Sequence, residues 1–350
     1  MATAPGRVSI DYPHRRAGHC GSGSLRDLLE FHGLSYLEGP PSEGMAFGLG
    51  AGLGFAYVEL LTMRPPLYLV GRTARLERDF CAHAGVTLYH RTTDDPGEGW
   101  ALVRDALDAG RPVMVNADIA HLDYLRVRLQ MTMHVIVLTG YDEIEGVALV
   151  ADNDRDEIQR CSLDALARAR NSDGFPMPNR HATWLMDFPA ELPDPEPTFA
   201  RALGRAVANM REPGSDALGA DPRTLGLAGV DRLASGFEGW PERFGEQLEA
   251  ALDGLRIFIV KAGTGGAMFR SLHARFLLDA AAVLDDSGLR EAAGVYERLS
   301  AEWVSLAQAA GKDGPPGARH AAAAPHVARI AALEHAGVEA TESWLAGRAG

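Results

Sequence analysis

Three residues able to perform nucleophilic acyl chemistry follow one another along the chain: Cys20, His134 and Asp152. Cys20 stands in "HCGSGSLRDLLEFHG", where Gly18, Gly21, Ser22 and Gly23 leave space around the sulfur and permit a sharp turn. The apolar helical spacing of Leu25, Leu28, Leu29 and Phe31 begins only afterwards, so Cys20 falls at the mouth of a helix. Free backbone N–H groups and the positive end of the helix dipole favour a thiolate there. His134 opens the apolar run "HVIVLTGYD", and Asp152 closes "VALVAD"; the "EIEG" between them has the length of a hairpin turn. An antiparallel hairpin sets the start of one strand beside the end of the next, which brings His134 and Asp152 together. The carboxylate then holds the imidazole in the tautomer that accepts a cysteine proton. Singly, each residue has a structural reading: a small core thiol at a turn, a strand-end histidine, a turn aspartate beside Asn153 and Asp154. Jointly they read as nucleophile, base and orienting acid.

The elements that must position them belong to an α+β pattern. In the first half, "RTARLERDFCAHAG" and "GWALVRDALDAG" read as helices ending at glycines, and "PVMVNAD", "HVIVLTGYD", "VALVAD" and "TWLMDF" as strands of an antiparallel sheet. The Pro-rich acidic stretch "FPAELPDPEPTF" reads as an extended linker. The second half reads as a bundle of helices, with Phe199, Leu203, Val207 and Met210 at helical spacing, and likewise Tyr296, Leu299, Trp303 and Leu306. "ARHAAAAP" reads as a helix boundary or loop. The expected division is a domain over 1–190, a linker over 191–198 and a helical accessory domain over 199–350, in keeping with a length of 350 residues.

Composition excludes some classes. A net charge of −13 argues against a broad nucleic-acid surface. No long apolar run predicts a membrane span, and the N-terminus lacks a secretory apolar core, so a cytoplasmic protein is expected. Three cysteines without a C-x-x-C pair predict neither a disulfide scaffold nor a metal site, and Cys81 and Cys161 read as structural thiols.

At these residues the chain resembles a known family. "HCGSGSLRDLLEFHG", "SEGMAFGLGAGLGFAY", "RPVMVNADIAHLDY", "HVIVLTGYDEIEGVALVADND" and "LARAR" resemble the N-terminal domain of the BtrH-like (butirosin biosynthesis protein H) acyltransferases. "KAGTGGAMFRSLHARFL" resembles the helical domain that accompanies it. The resemblance implies a papain-like fold, similar to that of double-glycine leader peptidases, with Cys20 as nucleophile, His134 as base and Asp152 as orienter. It further implies transfer of an acyl group from an acyl-carrier-protein thioester, through a cysteinyl acyl-enzyme, to an amine of a small-molecule acceptor. The carrier's phosphopantetheine arm is then part of the donor, and no cofactor is bound. A cysteine peptidase, amidase or thioesterase of the same fold is the alternative, and a non-catalytic binding or scaffold protein a third reading.

Other candidates surround this core. Papain-like enzymes often carry an oxyanion-binding glutamine about six residues before the cysteine; here that place holds His14, with His19 next to Cys20. Either histidine is a candidate second oxyanion donor beside the Cys20 backbone N–H, or a packing residue. "GMAFGLGAGLGFAY" fits neither a dinucleotide fingerprint nor a Walker loop. Its Gly48, Gly50 and Gly52, with Phe47, Phe55 and Tyr57, either line a pantetheine channel or let two backbones pack closely. Glu43, Asp118 and Tyr124 are further candidates for the substrate channel, Glu43 and Asp118 as carboxylates for the cationic acceptor, while Asp118 reads equally as a loop cap. Arg270 after Gly265 and Gly266 is a candidate phosphate site or a packing arginine. Arg72, Arg75 and Arg78 form either a carrier-docking face or a solvated helix face.

Overall fold

The computed structural model describes residues 6–128, 130–213, 221–261 and 265–348. Gly263 and Thr264, within the glycine-rich segment before Arg270, lie outside them. In chain order come β1 (Arg7–Ser9), α1 (Cys20–Phe31), α2 (Glu43–Leu49), β2 (Leu53–Glu59), β3 (Leu67–Arg72), α3 (Leu76–Ala84), β4 (Thr87–Arg91) and α4 (Pro96–Asp108). Then follow β5 (Val113–Ala117), β6 (His134–Asp142), β7 (Val147–Ala151), β8 (Gln159–Ser162), α5 (Leu163–Arg170) and β9 (Thr183–Asp187). The remainder is helical: α6 (Pro195–Arg211), α7 (Gly226–Gly236), α8 (Trp240–Phe244), α9 (Leu248–Val260), α10 (Arg270–Leu284), α11 (Ser287–Ala310) and α12 (Pro316–Ala346), with short 3₁₀ turns between. The chain is therefore α+β first and all-α afterwards.

Contacts divide the chain into two compact units, Met1–Pro41 with Gly85–Leu192 and Ser42–Ala84 with Pro193–Gly350. One cut near residue 190 does not produce this division, because α2, β2, β3 and α3 group with the later helices. The glycine-rich segment explains why. A Cβ on Gly48 would fall 1.8 Å from the Phe276 ring, and one on Gly44 2.6 Å from the Arg275 side chain. The bare backbone of α2 is the surface against which α10 lies.

The expected linker also folds differently. Asp194 caps α6 by accepting the Glu196 N–H at 3.2 Å, and Pro195 takes the first helical position, where a missing N–H costs nothing. The prolines over 195–197 thus begin a helix. Likewise α12 runs through "ARHAAAAP" with exposed Pro325 inside it.

In the first unit, seven strands form an antiparallel sheet in the order β4-β9-β5-β6-β7-β8, with β1 also pairing β6. Ile136 and Leu138 of β6 share a buried cluster with Val113 and Val115 of β5, Val103 and Leu107 of α4, and Leu166 of α5. Val135 and Val137 project to the opposite face and are buried as well. Helix α1 packs on β6, so β6 is covered on both sides and reads as a continuous apolar run. At Gly140 a Cβ would lie 2.3 Å from the Val8 carbonyl, so only glycine admits β1 at that point.

The second unit holds the β2-β3 hairpin and α6–α12. Its centre includes an ion pair with no exposed side-chain surface. Arg270 Nε and Nη2 donate to Glu334 at 2.8 and 2.9 Å, Arg270 Nη1 donates to the carbonyls of Gly54, Gly71 and Met268, and Trp303 Nε1 donates to Glu334. Among the described residues, no helix is long and apolar enough to cross a membrane.

Candidate active site

Helix α1 begins at Cys20 itself, with His19 as its N-cap: His19 Nδ1 accepts the Ser22 N–H at 3.2 Å. That bond puts the neutral ring's proton on Nε2. As the first helical residue, Cys20 keeps a backbone N–H that the helix does not consume. Cys20 is a half-buried residue, whereas Cys81 and Cys161 are buried.

The hairpin of β6 and β7 delivers the other two groups. Leu138 pairs with Val150 and Val137 with Ala151. One further step of that register would set Asp152 opposite Ile136, two residues from His134 on the same face. Diagonal neighbours of this kind are ~7–8 Å apart at the backbone, within reach of an imidazole and a carboxylate. His134 Nε2 lies 3.1 Å from both oxygens of Asp152, whose side chain is 0% exposed. The remaining ring nitrogen, Nδ1, is left for Cys20, with which His134 also hydrogen-bonds. Asp152 is ordered further by the Asp154 N–H at 3.1 Å on Oδ1 and the Tyr124 hydroxyl at 2.9 Å on Oδ2.

The proton balance follows from these contacts. Burial by itself raises the Cys20 pKa. The neighbouring His19, together with the hydrogen bonds from His134 and His19, outweighs it and holds the thiol well below its ordinary value. Burial pulls the His134 pKa down, but the Asp152 charge and hydrogen bond, with Cys20 beside it, raise it well above the usual histidine value. Both shifts favour a thiolate–imidazolium pair, and the carboxylate of Asp152, held low against burial by His134, completes it. Cys81 and Cys161 go the other way, each pushed by burial up to about 12, which makes them poor nucleophiles.

A polar latch aligns helix with hairpin. Asn153, directly after Asp152, accepts from Ser24 Oγ at 3.0 Å and donates Nδ2 to Asp27 at 3.0 Å and to the Arg15 carbonyl at 3.2 Å. Its own carbonyl accepts the Ala17 N–H at 3.0 Å. The approach needs Gly23: a Cβ there would sit 2.4 Å from Ala17 Cβ and 2.8 Å from Asn153 Cγ. Asn153 escapes a reading of the sequence because a lone Asn after a strand normally marks a turn. The usable signal was its adjacency to Asp152, together with a glycine inside the first turn of α1.

Several sequence candidates are placed elsewhere. His14 turns Nδ1 to Asp27 at 3.3 Å and Nε2 to the Arg155 carbonyl at 3.0 Å, so both nitrogens are engaged away from an oxyanion. Asp118 is fully buried as a loop pin, accepting from Ala120, Met131 and Ser172, and no acceptor amine can reach it. Tyr124 is half-buried, and its hydroxyl donates to Asp152 Oδ2.

Glu43, Phe47, Gly48, Gly50, Gly52, Phe55 and Tyr57 belong to the second unit. There Leu76 fills the space beside Gly50, and the Phe47 ring fills that beside Gly52. Phe47 stacks on Phe269, and Tyr57 on Trp240. Phe47, Phe55 and Tyr57 are core, and the alternating glycines serve close packing, while Glu43 is half-buried. Glu43 opens α2 in its first turn. Arg270, spent on Glu334 and three carbonyls, has no exposed surface for a phosphate. Arg75 pairs with Asp79 at 3.3 Å, and Arg72 donates to the Thr73 carbonyl.

What fold and site define is an α+β protein in which a helix-borne thiol meets a sheet-borne histidine–aspartate pair, continued by a helical region. The chain belongs to the BtrH-like family: residues 19–153 match the family model "Butirosin biosynthesis protein H, N-terminal", and residues 164–341 match "Domain of unknown function (DUF4872)". The family's name ties the chain to antibiotic biosynthesis. Among curated proteins, none matches it.

Proposed function

We propose that this protein is a cysteine-dependent acyltransferase of secondary metabolism, taking an acyl group from an acyl-carrier-protein thioester and forming an amide on a small-molecule amine. The observation that carries the reading is the convergence of Cys20, His134 and Asp152, with shifts that favour a thiolate beside an imidazolium, in a family named for antibiotic biosynthesis. The Cys20 thiolate attacks the thioester carbonyl. Its Sγ–C bond forms, the pantetheine C–S bond breaks, and the departing sulfur takes the imidazolium proton of His134. Exchange of one thioester for another is nearly balanced in energy. The acceptor amine then attacks the acyl-enzyme, its N–C bond forms, and the Sγ–C bond breaks. Neutral His134 takes the amine's proton, which restores the ion pair. The Cys20 N–H is one oxyanion donor, and His19 Nε2–H is the second candidate. The carrier's phosphopantetheine arm enters as part of the donor, and the carrier and the amine acceptor are the partners.

Mixing the protein with carrier protein charged with a labelled acyl group should yield a covalent adduct by intact mass that disappears in Cys20→Ala. Failure to acylate from any carrier-bound thioester, with acylation from peptide substrates instead, would replace this reading by the peptidase one.

A further inference from the structure

Tyr124 lies on the segment between β5 and β6, whose two ends are tied together by one buried carboxylate. Asp118 Oδ1 accepts the N–H groups of Ala120 and Met131, both at 3.0 Å, and Oδ2 accepts from Ser172 Oγ at 2.6 Å. The Ile119 N–H meets the Met131 carbonyl at 3.2 Å, and the Thr132 N–H meets the Phe175 carbonyl at 2.9 Å. This closed neck holds the segment as an Ω-type loop. On the loop, the Tyr124 hydroxyl donates to Asp152 Oδ2, the oxygen that His134 Nε2 also meets. Asp152 is fully buried, so no bulk water replaces that bond when it is lost.

We propose that Tyr124 is a positioning residue, its hydroxyl fixing the Asp152 carboxylate toward His134 and sharing its charge, with Asp118 clamping the loop that delivers it. The inference rests on the cysteine-nucleophile reading of the site, though not on the identity of the acyl group or the amine. It separates from a hydroxyl that merely finds a partner by the direction of one titration. A hydrogen bond to Asp152 is stronger when the carboxylate is not already neutralised by an imidazolium. The tyrosine therefore favours neutral His134, and its removal makes His134 hold its proton to higher pH. The other charged or titratable groups around the two residues are Arg155 and Cys161 near Tyr124, Cys20 against His134, and His19 next to Cys20. None of them changes in the variants below.

The test is the pH dependence of Cys20 alkylation by iodoacetamide, read by peptide mass so that Cys81 and Cys161 do not interfere. The wild-type protein should show a lower step, where the thiolate forms, and an upper step, where His134 loses its proton. Tyr124→Phe should move the upper step up by about half to one pH unit, a share of what a bond to a charged group contributes. Replacing Tyr124 with 3-fluorotyrosine, a stronger donor of nearly the same size, should move it down and covers the case in which the phenylalanine variant folds poorly. An upper step that stays in place in both proteins overturns the proposal. A wild-type Cys20 that titrates once, near the free-thiol value of about 8.5, removes the nucleophile reading and this one with it.

Discussion

Replacing Asn153 probes whether the helix and the hairpin are aligned by one side chain. The residue is buried and makes three side-chain bonds, to Ser24 Oγ, Asp27 Oδ2 and the Arg15 carbonyl. Asn153→Ala leaves Ser24 Oγ without its acceptor. The Arg15 carbonyl keeps Arg26, and Asp27 keeps Arg26 and His14, so those losses are partial. With about 1 kcal/mol for each neutral bond and about 1.5–3 for the one to a carboxylate, discounted for the surviving partners, the cost is about 2–4 kcal/mol. Asn153→Asp has the same shape but sets a second carboxylate against Asp27 Oδ2, where an N–H now donates across 3.0 Å. That variant should be less stable than the alanine one, although it is isosteric. Urea denaturation measures the order of stabilities. Iodoacetamide labelling of Cys20 near pH 6 measures alignment, and both variants should label several-fold more slowly than wild type. If Asn153→Asp is as stable as wild type, or if both variants label Cys20 at the wild-type rate, the latch does not position the site.

The remaining predictions concern the same contacts and the second unit. Gly23→Ala should lower the Cys20 labelling rate with the fold retained by circular dichroism, because the new methyl displaces Ala17 or Asn153. Cys20 should label at pH values well below the ordinary thiol range: its depressed pKa makes thiolate available there, and the raised pKa of His134 keeps the imidazolium present to above the usual histidine value. Cys81 and Cys161, pushed up, should stay unlabelled in the native protein. Glu334→Gln should cost about 3–5 kcal/mol in urea denaturation, since it leaves Arg270 charged, buried and uncompensated. Pro325→Ala should raise the urea midpoint, as an exposed proline inside a helix costs up to about 3 kcal/mol.

Much of the candidate site was legible because its signals are local or follow from one hairpin. The glycines around Cys20 and the delayed apolar spacing mark a helix start, and the structure begins α1 at that residue. Two apolar runs around "EIEG" imply antiparallel pairing, and β6 and β7 pair in that way. The weaker readings involved residues whose role depends on distant partners. Tyr124 and Asp118 share a loop, yet one reaches Asp152 and the other closes the loop's neck. His14 stands where an oxyanion donor was expected but is claimed by Asp27 and Arg155. The glycine-rich segment was open to two readings, and Phe276, a side chain more than two hundred positions away, decided for packing.

By itself, then, the sequence determined the fold class, the helix that carries the thiol and the hairpin that joins histidine to aspartate. Each of these depends on periodicity, on glycine and proline chemistry, or on a short connection, all of which act between near neighbours in the chain. Only the tertiary structure decided that α2, β2, β3 and α3 group with the later helices, that Arg270 is spent on Glu334, that Asn153 ties the hairpin to the α1 segment, and that the Tyr124 hydroxyl meets Asp152. Those outcomes depend on which side chain fills which space and which buried polar group meets which partner, and spacing along the chain carries no record of either.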